Sequence, residues 1–172
     1  MVVMVLRALM LRPAMPDPMQ NQTPAQALLT TRILWAALLI GPLIFVGIAS
    51  QIFKGPPPPN SDDLQKFLPL VVCAFALVEL PVLYLVRGIT FKKNRENDAV
   101  TPRGFLTGNL MLFAGCEGLM LFAIVTWIVT RIIMPTVLPG VLALLVMLVN
   151  FPTGRAMYAD GAAANPYNPD AK

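Results

Sequence analysis

The stretch GFLTGNLMLFAGCEGLMLFAIVTWIVT, residues 104–130, runs for 27 residues with one charged side chain, Glu117. About 20 apolar residues cross the hydrocarbon core of a bilayer as a helix, so this run predicts a membrane span. Comparable runs occur on both sides of it. Spans are expected at about 33–53, 67–86, 105–130 and 136–152, and the only other charge inside them is Glu79. Arg131, Pro135 and Pro139 separate the third span from the fourth, and proline breaks a helix because it lacks the N–H and clashes with the preceding turn. Composition agrees. The chain of 172 residues is 56% hydrophobic and 13% charged, with a mean hydropathy of +0.67. Soluble domains carry roughly 25% charged residues, so lipid must cover much of this surface. The expected class is an all-α polytopic membrane protein, a four-transmembrane-helix bundle.

Orientation follows from lysine and arginine, which concentrate on the cytoplasmic side. Arg7, Arg12, Arg32, Arg87, Lys92, Lys93, Arg95, Arg103, Arg155 and Lys172 fall on the side of the termini and the second loop. Lys54, Lys66 and Arg131 fall on the other. Both termini are therefore expected in the cytoplasm of a bacterial-type inner membrane. The formal charge of +4 does not point to nucleic acid, because the cations flank apolar runs and form no basic stripe with interleaved aromatics. Cys73 and Cys116 lie inside spans, so no disulfide framework is expected. The chain has no histidine, which excludes haem held by histidine, histidine metal centres and Ser-His-Asp chemistry. No metal or cofactor is expected.

Three segments surround the spans. Residues 1–31 form a cytoplasmic N-terminal segment. Its apolar start, 1–12, is too short to span and reads as an interfacial helix; a signal-peptide core or a later start at Met15 or Met19 are the alternatives. The first loop, KGPPPPNSDD, has four successive prolines and reads as a stiff polyproline spacer, with a proline ligand for a partner domain as the alternative. The second loop, 87–104, is basic and polar; it anchors spans two and three and suits anionic lipid headgroups. Residues 155–172 lack any apolar period and are expected to be a disordered tail. The transmembrane domain is thus 32–154.

An ionisable group inside a membrane is a functional suspect by default. Glu79 lies in FALVELPVLYLV and Glu117 in FAGCEGLMLFAIV. The two share Phe-Ala-x-x-Glu, a Leu four residues on and then an aromatic: Phe75 with Phe113, Ala76 with Ala114, Leu83 with Leu121, Tyr84 with Phe122. Their helices run in opposite directions, and inverted repeats with polar groups near the midplane are a transporter trait. Glu79 lies about 12 Å from Arg87 and Glu117 about 21 Å from Arg103 at 1.5 Å per residue. Helical side chains lean toward the N-terminus, which narrows the difference to a few ångströms. The expectation is a glutamate pair able to share a proton or cation, if the two faces pack together. Asn109, Thr126 and Asn150 are candidate polar partners, together with the Leu77 carbonyl freed by Pro81. Ala37 and Gly41 on span one, and Gly115 and Gly118 around Glu117, are candidate packing positions for close helix approach.

Glu117, Gly118 and Phe122 give this helix a local resemblance to rotary ATPase proteolipid (c-type) subunits, which carry a mid-membrane carboxylate, then a small residue, then an aromatic. That resemblance implies proton or cation translocation. The chain departs from it in lacking alternating glycines and in placing its acidic helices second and third. RILWAALLIGPLIFV opening the first span and NFPTGR closing the last resemble small uncharacterised four-span bacterial membrane proteins, which implies the four-span plan and no particular activity. The leading expectation is a non-enzymatic structural or accessory component, with the lipid bilayer and a protein partner or second copy as its associates. A proton- or cation-translocating subunit is the first alternative and an intramembrane enzyme the second.

Overall fold

The computed structural model describes residues 22–53 and 62–158. The expected interfacial helix, the polyproline spacer and most of the tail lie outside them. Among the described residues four α-helices carry the fold: α1 Pro24–Ile52, α2 Asp62–Lys93, α3 Pro102–Thr130 and α4 Val137–Val149. The first three are long and apolar enough to cross a membrane, and the fourth is apolar but short. At 13 residues, α4 is about 20 Å long. The fold is an all-α helical bundle, with one two-stranded hairpin among the described residues, β1 Arg95–Glu96 and β2 Ala99–Val100.

Helix ends differ from those that hydropathy suggests, because capping sets them. Two helices open on Thr-Pro. Thr23 caps α1, with its hydroxyl accepting from Gln26 N and the Gln26 side chain accepting from Thr23 N, and Pro24 takes the first helical position. This capping box starts the helix within the segment expected to precede the membrane domain, so α1 extends more than two turns beyond residue 33. Thr101 likewise caps α3, accepting from Gly104 N at 3.2 Å, with Pro102 following. Between α2 and α3 the chain reverses through Asn97 and Asp98, both at positive φ. Asn and Asp tolerate that conformation better than other side-chain-bearing residues, and it suits a two-residue hairpin turn. The second loop is therefore a built hairpin, shorter than the basic loop expected. Pro42, Pro69 and Pro81 all sit inside continuous helices.

α3 is the hub. The other three helices pack on it and hardly touch one another. The core joins Val72 and Ala76 of α2, Leu112, Phe113, Cys116, Leu119, Met120 and Ala123 of α3, and Ala143 and Met147 of α4. A second cluster closes the hairpin end: Ala27, Leu28, Val100, Phe105 and Met157. Met157 belongs to a 3-10 turn, Arg155–Met157, so the tail expected from residue 155 begins as ordered structure. Burying Met157 against α1 and α3 supplies the reason. The start of α1 also ties down the end of α4. The Trp35 indole donates to the Met147 carbonyl at 2.9 Å and Arg32 Nε to the Pro152 carbonyl at 3.2 Å, while Phe151 packs edge-on to Trp35. At the other end Arg131, left-handed at the end of α3, donates to the Phe53 carbonyl and lies over its ring.

Candidate functional site

The α2–α3 seam fixes how deep each carboxylate lies. A Cβ on Gly115 would meet Leu83, and Phe122 packs edge-on to Phe75. Antiparallel helices in that register put Glu79 level with Leu119, about 3 Å along the axis from Glu117. The same register puts Lys66 level with Arg131. Lys66 and Arg87 are 21 residues apart on α2, about 32 Å, against roughly 30 Å for the hydrocarbon of a bilayer. Both carboxylates thus lie at similar height along the bundle, between the levels of Lys66 and Arg87.

Their directions differ. Gly115 and Gly108 face α2, against Leu83 and against Phe91 and Arg87. Glu117 is two residues beyond Gly115, about 200° round the helix, and it faces α1. Its Oε1 lies 3.4 Å from where a Cβ on Gly41 would stand. Glu79 belongs to α2, and its Oε2 is buried without a hydrogen-bond partner among the described residues. α3 stands between the Glu117–Gly41 contact and the Leu83 seam, so the structure does not bring the two carboxyls together as a face-to-face pair.

The expected polar partners are elsewhere too. Asn109 and Thr126 are buried on α3, eight and nine residues from Glu117 on the same helix, or about 12 and 14 Å along it. Asn109 donates to the Phe105 carbonyl at 2.8 Å and leaves its Oδ1 unpaired; the Thr126 hydroxyl is also unpaired. Asn150 ends α4 and serves a different group. It accepts from Arg87 Nη1 at 2.6 Å and donates to the Tyr84 hydroxyl at 2.6 Å and the Val146 carbonyl at 2.8 Å. Arg87 also lies over the Phe91 ring, 5.0 Å from its centroid. This cluster binds α2 to α4 at the hairpin end. Its sequence signal is Tyr84 three residues before Arg87, one helical turn apart at a span end.

The packing positions divide as well. Gly41 accommodates Glu117 and Gly115 accommodates Leu83, whereas nothing lies within 4 Å of a Cβ on Gly118. Ala37 is exposed. Among the described residues no three Cys, Asp or Glu side chains gather as a metal site would need. An apolar cavity of about 270 Å³ opens between α1, α3 and α4, lined by Pro42, Val46, Met120, Trp127, Ile133 and Val141 among others. It offers no polar group to orient a reacting molecule.

No protein family model, curated protein or solved structure matches this chain.

Proposed function

We propose that the protein is a non-enzymatic accessory component of a bacterial-type inner membrane, with both termini cytoplasmic, whose two protonatable glutamates act separately in helix packing and association. The observation that supports this reading best is the azimuth of Glu117. It turns to Gly41 of α1, while Glu79, on α2, buries its Oε2, which supports a separate place for each carboxyl. Intramembrane polar groups serve as links between helices, and the Arg87–Asn150–Tyr84 cluster and the Trp35–Met147 bond do the same at the hairpin end. The cytoplasmic orientation is supported by charge: Arg32, Arg87, Lys92, Lys93, Arg95, Arg103 and Arg155 lie toward the hairpin end, against Lys66 and Arg131 toward the other.

One observation favours a proton- or cation-translocating role instead: Glu79 Oε2 is buried at depth without a partner. The two readings separate in a cycle of E79Q, E117Q and the double variant. Separate packing roles predict stability changes in detergent that add within about 0.5 kcal/mol, and proteoliposomes whose proton permeability is the same for parent and variants. Proton flux in the parent that either Gln substitution abolishes would replace the packing role with translocation. Strong non-additivity without flux would restore a coupled pair.

A further inference from the structure

A second cavity, about 240 Å³, lies at the hairpin end between the close of α2, the hairpin and the 3-10 turn. Its charged lining is Lys92, Arg95, Arg155 and Asp98, and Phe91 and Tyr158 supply aromatic walls. Three cations thus face one carboxylate. Among the described residues no second carboxylate lines the cavity. Arg95 donates through Nε and Nη2 to the Asp98 backbone carbonyl, at 3.2 and 3.1 Å, and not to its carboxylate. The positive-φ turn at Asn97 and Asp98 sets that carbonyl, so the guanidinium is held across the hairpin with its remaining N–H groups unspent. The side chains of Lys92 and Arg155 have no hydrogen-bond or ion-pair partner among the described residues. Like charges gathered around a cavity repel one another unless an anion enters.

Position narrows the anion. Phe91 is four residues beyond Arg87 on α2, about 6 Å further from the bilayer centre. If Arg87 marks the edge of the roughly 30 Å hydrocarbon layer, the cavity falls in the headgroup layer, which brings the bilayer to about 40–45 Å. Size agrees. Sites that enclose a whole small molecule run to roughly 300–1,000 Å³, so this one suits a headgroup whose remainder stays outside. Arginine and lysine together suit phosphate, and an aromatic belt at this level is an interfacial feature. We infer that this cavity, built by Lys92, Arg95 and Arg155, is a binding site for a phosphate-bearing anion, with the phosphate of an anionic phospholipid headgroup as the source that its depth favours.

The test uses the full chain in neutral detergent. Phosphatidylglycerol or phosphatidylcholine is titrated and retained lipid counted by native mass spectrometry; inorganic phosphate is titrated separately by calorimetry. Phosphatidylglycerol is expected to be retained in preference to phosphatidylcholine. K92Q and R155Q should each weaken that retention about fivefold, while R155K largely restores it. K93Q, on the same helix end but outside the lining, should leave it unchanged. Inorganic phosphate binding with the same variant pattern, and no lipid preference, would keep the site and place its anion in solution. Neither ligand binding, or an equal loss in K93Q, overturns it.

Discussion

Arg87 on α2 donates through Nη1 to Asn150 Oδ1 at the end of α4, at 2.6 Å, and through that amide α2 gains a second link at Tyr84. The two helices otherwise touch little. Asn150 therefore holds α4 on the α2 side of the hub. Removing it strips a charged donor of its acceptor, a hydrogen bond worth about 1.5–3 kcal/mol, whereas losing one neutral hydroxyl costs about 0.5–1.5 kcal/mol. N150A should lower thermal stability in detergent clearly more than Y84F does. Equal losses would show that the arginine contact contributes nothing.

The glycines of α3 give a graded series. A Cβ at Gly108 would lie 2.6 and 2.8 Å from atoms of the Phe91 ring, and that ring is held between Arg87 and Phe105. G108A should cost about 1–3 kcal/mol through overpacking. At Gly115 the clash is with the Leu83 side chain, which can rotate more easily than a held ring, so G115A should cost less. G118A meets nothing and should be neutral, or stabilising by up to about 1 kcal/mol from helix propensity. Unfolding midpoints in one detergent rank the three. A large loss in G118A would mean that something outside this chain covers that surface.

Length and apolarity made the helices legible, because a run such as 104–130 has no soluble use for its side chains. Helix ends were less legible, although Thr23-Pro24 and Thr101-Pro102 are plain capping signals. Hydropathy does not register them, since both lie outside the apolar runs. The depth of Glu79 and Glu117 could be counted from Arg87 and Arg103, because helix rise is constant. Their azimuth could not, because it depends on which face of α3 each neighbour occupies. The same limit hid Asn150, whose partner Arg87 is 63 residues away. Residues 155–158, Arg-Ala-Met-Tyr, are too few to show an apolar period, and the surface that buries Met157 is assembled from α1, the hairpin and α3.

Topology is testable with a reporter active only in the cytoplasm. Fused after Lys172, or within residues 94–97 at the hairpin, it should be active. Within residues 56–61 it should be silent. The charge bias toward the hairpin end makes this prediction. The reverse pattern would invert the orientation and move the anion site to the outer leaflet, and activity at all three positions would contradict the four-span plan.

The contact between Glu117 and Gly41 predicts a selective effect on carboxyl reactivity. A Cβ at residue 41 would stand 3.4 Å from Glu117 Oε1, an ordinary van der Waals distance, so G41A should fit without displacing the carboxyl. G41L places a branched side chain over it. Dicyclohexylcarbodiimide reacts with protonated carboxyls in apolar surroundings, and modification at each glutamate can be quantified by peptide mass spectrometry. Glu117 labelling should fall several-fold in G41L and stay near the parent level in G41A. Glu79 should label equally in all three proteins, because it belongs to the α2 seam and α1 packs on a different side of α3. A common fall at both glutamates in G41L would mean that they respond as one unit, contrary to their separate placement. A selective fall at Glu117 would fix its direction toward α1 in the membrane itself.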